Sequence, residues 1–188
     1  MKERCGWCGT DPLYVAYHDQ EWGVPVTDDH GQFEFLVLET FQAGLSWITV
    51  LRKREYFREA FDHFDVEKVA RYDEHKIASL MQNERIIRNG AKIRATVTNA
   101  QAFIRIRDEF GSFSKYIWGF TGGSPILNKH RSLSDVPPVS PESDALSKDL
   151  KKRGFKFVGS TVMYAHMQAT GMINDHLVSC FRYTEVQG

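Results

Sequence analysis

Apolar residues recur every three or four positions along most of this chain, which is the spacing of one face of an α-helix. The clearest examples lie in three segments, GQFEFLVLETFQAGLSW, WITVLRKREYFREAFD and GAKIRATVTNAQAFIRIRDEFG. Their predicted buried stripes are Phe33, Leu36, Val37, Thr40 and Phe41; Ile48, Leu51, Phe57 and Phe61; and Ile93, Val97, Ala100 and Ile104. Strand-like alternation of apolar and polar residues is nearly absent. The pattern therefore predicts an all-α fold, a compact bundle of short helices.

Capping residues and glycines indicate where these helices begin and end. The predicted N-caps are Thr27–Asp29, Ser46, Asp65, Asp73 and Ser143, with Asn174 or Asp175 before a last helix that carries His176 and Cys180. The predicted stops are Gly111, Gly154 and Gly171. Residues 121–142 hold four prolines and two glycines, so they are predicted to form one long irregular segment.

Length, charge and cysteine count narrow the class of protein. The 188 residues suffice for one domain spanning residues 1–188, or for two small helical lobes. The 24 Lys and Arg balance the 24 Asp and Glu, which argues against strong non-specific DNA binding but allows a basic patch. The polar start shows no signal segment, and no apolar run is long enough for a membrane span. Three cysteines, an odd number without a secretory context, favour a cytoplasmic protein whose thiols serve as ligands. We also expect a monomer.

Two Cys and His pairs stand at opposite ends of the chain. Twelve residues separate Cys5 from His18, and His176 and Cys180 are four apart. Together they make a complete four-ligand zinc set, and because the protein would fill all four positions, such a zinc would be structural. It would tie the two terminal segments together. The alternative is a core thiol beside a stray histidine, and Cys8 is a rival ligand.

A carboxylate among aromatic residues is the second candidate site. Glu39 lies in an apolar helical segment, eight positions before Trp47, and Tyr17 belongs to the aromatic N-terminal stretch. Aromatic faces with a nearby carboxylate suit a flat, nitrogen-rich, cationic ring. The alternative is a solvated glutamate beside aromatic core residues.

Two basic stretches are candidates for phosphate contacts. One is SLMQNERIIRNGAKIR, which carries Arg85, Arg88, Lys92 and Arg94, and the other is KDLKKRGFKF, with Lys151, Lys152 and Arg153. Short helices with a tight link can present backbone amides to a phosphate. The alternative is an ordinary corner between two helices with solvated charges.

Taken together, these residues resemble the bacterial DNA-3-methyladenine glycosylase I family of the helix-hairpin-helix superfamily. The matching stretches are CGW, DPLYVAYHDQEWGVP, LETFQAGLSWITVLRKRE, IIRN, SDALSKDLKKRGFKFVGSTVMY and NDHLVSC, which run from residue 5 to residue 180. The resemblance implies a helix-hairpin-helix motif near residues 77–95. It places a zinc site on Cys5, His18, His176 and Cys180, and a base pocket on Trp7, Tyr17, Trp22, Glu39 and Trp47.

The activity that the resemblance implies is excision of 3-methyladenine from alkylated double-stranded DNA, with free 3-methyladenine as product and Glu39 as the catalytic residue. The DNA-facing residues would be Arg88, Lys92, Lys151, Lys152 and Arg153. Two other readings stay open: a zinc-stabilised helical DNA-binding protein without catalysis, and a hydrolase that acts on free nucleosides.

The sequence departs from the family's pattern at two positions. Arg85 stands in the hairpin where many relatives have glycine, a residue that suits a positive φ or a close approach to phosphate. Ala165 stands where some relatives carry a hydroxyl, so one hydrogen bond in the pocket is expected to be missing.

Overall fold

Ten helices and one two-stranded pairing make up the computed structural model, which describes residues 2–188. The longer helices are α1 (Pro12–Gln20), α2 (Asp29–Gln42), α3 (Trp47–Ala60), α5 (Glu74–Gln82), α6 (Gly90–Phe110), α8 (Pro141–Lys152) and α9 (Ser160–Ala169). The shorter ones are α4 (Val66–Val69), α7 (Phe113–Trp118) and α10 (Arg182–Glu185). The strands β1 (Ile126–Leu127) and β2 (Ile173–Asn174) pair in parallel. The all-α prediction is confirmed.

Helix α2 is the central element of the packing. Every residue from 32 to 41 is buried, because α2 packs against α3, α6, α7 and α9 on different sides. The core around it is rich in phenylalanine, with Phe33 and Phe103 at 5.3 Å between ring centroids and Phe41 and Phe57 at 4.8 Å. A helix buried on all sides leaves no solvated face, so polar residues on α2 must find partners or line a cavity.

Local capping explains most of the helix starts. Asp28, Asp65 and Asp73 accept hydrogen bonds from the first-turn amides of α2, α4 and α5, as predicted. Ser46 precedes α3, but its hydroxyl bonds to the Thr49 side chain instead of an amide. Helix α1 was not predicted from the sequence; it is capped by Asp11 and has Pro12 at its first helical position.

Two predicted helix starts are wrong. Helix α8 begins at Pro141 and is capped by Ser140, not by Ser143; the two serines exchange hydrogen bonds between side chain and backbone as a capping box. His176 and Cys180 lie in turns before α10, so neither Asn174 nor Asp175 caps a helix that carries them. The Asn174 side chain instead accepts from the amide of His176, and β2 pairing holds the chain extended at this point.

Helices α5 and α6 are joined by residues 83–89, where the resemblance places the helix-hairpin-helix motif. Asn89 caps α6 by accepting from the amide of Lys92. The φ angle of Arg85 is not positive, so its backbone conformation does not require glycine. Its guanidinium lies over the Tyr56 ring and pairs with Glu59. The chain therefore accommodates Arg85 without backbone strain.

No helix in residues 2–188 combines the length and apolarity needed to cross a membrane.

Candidate active site and metal cluster

A cavity of about 430 Å³ opens between the N-terminal segment, the α2–α3 corner and α9. All five residues predicted for the base pocket line it: Trp7, Tyr17, Trp22, Glu39 and Trp47. They come from four separate parts of the chain, namely the turn Gly6–Cys8, α1 with the turn after it, α2 and α3. The structure thus brings together residues that are up to forty positions apart in the sequence.

Aromatic rings make up much of the cavity wall. Trp7 lies 5.0 Å from Tyr14 and 4.9 Å from Trp22 between ring centroids, and Tyr17 lies 5.5 Å from Trp47. The Tyr17 hydroxyl and the Trp47 Nε1 are buried and have no hydrogen-bond partner among residues 2–188. Buried polar groups normally have partners, so two unpaired donors at one cavity are expected to serve a bound molecule.

Glu39 projects from the centre of α2 into this cavity. It is only 4% exposed, and its carboxyl makes no hydrogen bond with any described residue. Of the two partners considered for it in the empty pocket, a water or the Tyr17 hydroxyl, the hydroxyl makes no hydrogen bond with any described residue, so that alternative is wrong. Burial without a partner raises the pKa of Glu39 to about 8, because the charged form loses its hydration. Near neutral pH the carboxyl of the empty cavity is therefore largely protonated.

This raised pKa has a consequence for stability that can be measured. Between the ordinary carboxyl pKa near 4.5 and the folded value near 8, the folded protein holds a proton that the unfolded chain has released. The free energy of unfolding therefore falls as pH rises through this interval and loses no more above it. We expect Glu39→Gln to remove this loss, on the order of a few kcal/mol at pH 8 or above. Chemical denaturation of the parent and of Glu39→Gln from pH 5 to pH 9 measures the two free energies of unfolding. If their difference does not change with pH, this prediction is wrong.

The four predicted metal ligands form a buried cluster. The Cys5 and Cys180 thiols and one ring nitrogen each of His18 and His176 all lie within 4.8 Å of one another. Sγ of Cys180 is 3.5 Å from Nε2 of His18 and 3.7 Å from Nδ1 of His176, and Sγ of Cys5 is 3.6 Å from the same Nδ1. Tetrahedral zinc with ordinary bond lengths places S and N ligands about 3.6 Å apart. The donor set and its spacing fit such a metal.

The outer nitrogens of both histidines are also held. Nδ1 of His18 donates to the Asp19 carboxylate at 2.8 Å, and Nε2 of His176 donates to the carbonyl of Trp22 at 2.9 Å. Arg4 in turn binds Asp19 through two nitrogens. Such partners orient a metal-binding imidazole and leave the inner nitrogen unprotonated. The rival ligand Cys8 donates its thiol to the carbonyl of Cys5 and lies outside the cluster.

The predicted DNA-facing residues are only partly available. Arg88, Lys151 and Lys152 are exposed. Lys92 is buried, and its ammonium donates to the carbonyls of Phe41 and Ala43 at the end of α2, at 3.1 and 2.8 Å. Burial also lowers the pKa of this ammonium. We therefore remove Lys92 from the predicted set, because its charge already satisfies free carbonyls at a helix C-terminus.

Arg153 is also engaged. Its guanidinium binds Asp149 and Glu109, each at 2.7 Å, and lies over the rings of Phe110 and Tyr116. A guanidinium with two carboxylates has less positive charge to offer a phosphate than a free lysine has. It is therefore a weaker candidate than its neighbours Lys151 and Lys152.

Six further residues line the cavity and were not predicted from the sequence: Tyr14, Gln42, Leu133, Val136, Gln168 and Asp175. Tyr14 and Gln42 share helices with predicted residues, so helical spacing alone would have found them: they are three positions from Tyr17 and from Glu39. Leu133 and Val136 belong to the irregular segment, and no local pattern brings them to the cavity. Ala165 lines the cavity and offers no hydroxyl.

A family model described as methyladenine glycosylase matches residues 7–183. The chain is 50% identical to the Escherichia coli (strain K12) protein DNA-3-methyladenine glycosylase 1 over 181 residues, 96% of this chain and 97% of the relative. It is similar to a crystal structure of 3-methyladenine DNA glycosylase I at 50% identity, with a TM-score of 0.93 over 95% of this chain and 98% of that one. A tyrosine-to-phenylalanine variant of such an enzyme, in complex with 3-methyladenine, gives 38% identity and a TM-score of 0.92, over 95% of this chain and 96% of that one.

Proposed function

This chain belongs to the methyladenine glycosylase family, and on that premise we propose that it excises 3-methyladenine from alkylated DNA by hydrolysing the N-glycosidic bond. The observation that carries the proposal is the cavity, in which aromatic rings surround a buried and unpaired carboxyl group. A flat cationic purine meets both features: its faces stack on the rings, and its amino group donates to the carboxyl.

The reaction requires that the damaged nucleotide leave the DNA stack. A glycosylase extrudes its target base into a pocket at a cost of a few kcal/mol, and a damaged base costs less. The cavity volume of about 430 Å³ is ample for one purine. Its aromatic wall replaces the stacking that the base loses on leaving the duplex.

The chemistry needs little acid catalysis. Methylation at N3 gives the purine a positive charge, so the bond between N9 and C1′ breaks with its electron pair passing to a base that leaves neutral. The sugar becomes oxocarbenium-like, and water adds at C1′ and loses a proton. The protein's share is to hold the base, favour its charge and admit water.

Glu39 takes part through its charge. In the empty cavity its carboxyl is largely protonated, but a cationic base beside it favours the ionised form. The ionised carboxylate then accepts from the amino group of the base. None of the described residues that line the cavity is a lysine, so no amine is placed to form a Schiff base with the sugar. We therefore expect hydrolysis without strand cleavage.

The decisive experiment incubates the protein with methylated double-stranded DNA and separates the released bases. We expect free 3-methyladenine in excess over 7-methylguanine, and unbroken strands until abasic sites are cleaved chemically. DNA binding with no base released would instead identify a zinc-stabilised binding protein. Cleavage of free nucleosides without DNA binding would identify a nucleoside hydrolase.

We infer further that the buried cluster of Cys5, His18, His176 and Cys180 holds one Zn²⁺ as a structural ion. Four protein donors with no open position favour a structural role over a catalytic one. The cluster lies next to the cavity, since the carbonyl of Trp22 orients His176 and Trp7 lies 5.2 Å from the His18 ring. The metal would thus fix two walls of the base pocket without touching the base.

For the DNA surface, we propose contacts from Arg88, Lys151 and Lys152 to backbone phosphates. Changing both Lys151 and Lys152 to Ala is expected to weaken binding to all sequences alike and to reduce the salt slope by about two, roughly 0.9 for each lost phosphate contact. Binding titrations at several salt concentrations measure the slope.

A control for this prediction is Lys68→Ala, which removes one lysine charge from the exposed surface of α4. Its salt slope is expected to stay at the parent value. If the double variant also keeps the parent slope, Lys151 and Lys152 do not face the DNA.

A further inference from the structure

Asp175 is a buried carboxylate in the cavity wall that has no role in the mechanism above. It is 3% exposed, and four side chains donate to it. Asn128 and His130 bind one oxygen at 2.7 and 3.0 Å, and Tyr164 and Gln168 bind the other. These donors use the full accepting capacity of a carboxylate. Asp175 therefore acts on the cavity through the groups that it holds.

The first of the groups that Asp175 holds is the irregular segment, residues 121–142, which it binds through the anchor residues Asn128 and His130. Two backbone hydrogen bonds flank this contact: the amide of Asn128 donates to the carbonyl of Asn174, and the amide of Val178 donates to the carbonyl of His130. A few residues beyond these anchors, Leu133 and Val136 line the cavity. Asp175 thus fastens the segment that supplies this wall.

The other group is the amide of Gln168 on α9. A carboxylate can only accept, so the bond of 2.8 Å to Asp175 assigns Nε2 as the donor and fixes which end of the amide is which. The carbonyl oxygen Oε1 then has no partner among the described residues, although Gln168 lines the cavity. Gln168 therefore presents a hydrogen-bond acceptor whose identity is set by Asp175.

A second acceptor has a use in this cavity. The exocyclic amino group of adenine carries two N–H donors, and Glu39 accounts for one. We propose that Asp175 is a positioning residue for base selection, which holds Gln168 so that its Oε1 accepts from the amino group of 3-methyladenine. This inference rests on the proposed function. Guanine has a carbonyl oxygen at the same position, which a fixed acceptor repels.

The test compares excision of 3-methyladenine with excision of 3-methylguanine for the parent, Gln168→Met, Asp175→Asn and the double variant. Gln168→Met removes the acceptor at similar volume, and we expect the ratio of the two rates to fall about three- to tenfold. Asp175→Asn offers an NH₂ group to Gln168, so the amide can turn its own NH₂ toward the cavity. We expect the same narrowing of the ratio, and no further narrowing in the double variant, because both changes remove one interaction.

Several outcomes would overturn the inference. If both rates fall in parallel, Asp175 and Gln168 are structural only; if the two effects multiply in the double variant, Asp175 does not act through Gln168. Gln168→Ala gives the same comparison should the Met variant fold poorly. The control Gln101→Met, on the exposed surface of α6, should keep the parent ratio, and metal content should equal the parent's in every variant.

The experiment distinguishes a failure of the proposed function from a failure of the role inferred for Asp175. A parent protein that releases no methylated base would overturn that function, while an active parent with unchanged ratios in the variants would overturn only the role of Asp175. If the parent protein releases no base, its affinity for free 3-methyladenine can still be measured by quenching of tryptophan fluorescence, because Trp7, Trp22 and Trp47 line the cavity. Gln168→Met should weaken this binding three- to tenfold, and unchanged binding would contradict the inference.

Discussion

Glu39→Gln is expected to lower the rate of 3-methyladenine excision by roughly ten- to a thousand-fold, the worth of one or two charged hydrogen bonds. The substitution keeps the shape of the side chain but removes the negative charge that favours a cationic base. Single-turnover assays on DNA with one 3-methyladenine measure the chemical step separately from binding and product release.

Selectivity should change along with the rate. The ionised carboxylate accepts from the amino group of adenine and repels the carbonyl oxygen of guanine, whereas a glutamine amide can turn its NH₂ toward that oxygen. We therefore expect discrimination against 3-methylguanine to narrow in Glu39→Gln. Parent rate and parent selectivity in this variant would show that Glu39 is only a structural residue of α2.

Glu34→Gln is the matched control, because Glu34 is a buried glutamate on the same helix with a different environment. Its carboxylate accepts from Arg54 and Arg58 at 2.8 Å each, so it is already paired. Losing that charge leaves a buried guanidinium with a weaker partner, and stability should fall with little change in activity. Glu39→Gln should do the reverse at pH 8, with higher stability and lower activity, because its charge is buried without a partner.

Cys180→Ser is expected to release the metal and to lower the free energy of unfolding by several kcal/mol, since binding of a structural zinc is coupled to folding. The cluster joins the turn near residue 5 and α1 to the segment that follows β2. It ties together two segments that lie more than 150 residues apart in the sequence, and this long-range tie is lost when the metal leaves. Elemental analysis and denaturant unfolding of the two proteins measure both effects.

Cys8→Ser is the control for this prediction. Cys8 is equally buried, but its thiol donates to the carbonyl of Cys5 and takes no place among the four ligands. This variant should keep one zinc per chain. A parent protein that is free of metal, or a Cys180→Ser variant as stable as the parent, would contradict the structural role of zinc.

The helical architecture could be predicted wherever its signals are local. The stripe from Phe33 to Phe41 and the caps Asp28, Asp65 and Asp73 lie within four residues of what they stabilise, so spacing and residue type suffice. The sequence also identified the Cys and His set, because these residue types are rare enough that two pairs stand out. The resemblance carried the rest of the pocket prediction.

Which polar side chains are already paired with other groups of the protein could not be predicted and depends on tertiary packing. Lys92 and Arg88 have the same character in the sequence, but one is buried against the end of α2 and the other is exposed. Asp175 was predicted as a possible helix cap, and it instead gathers donors from two distant segments. These hydrogen bonds join residues 7 to 51 positions apart in the sequence, so they form only when the helices and loops pack together. A local pattern of residues does not predict that packing.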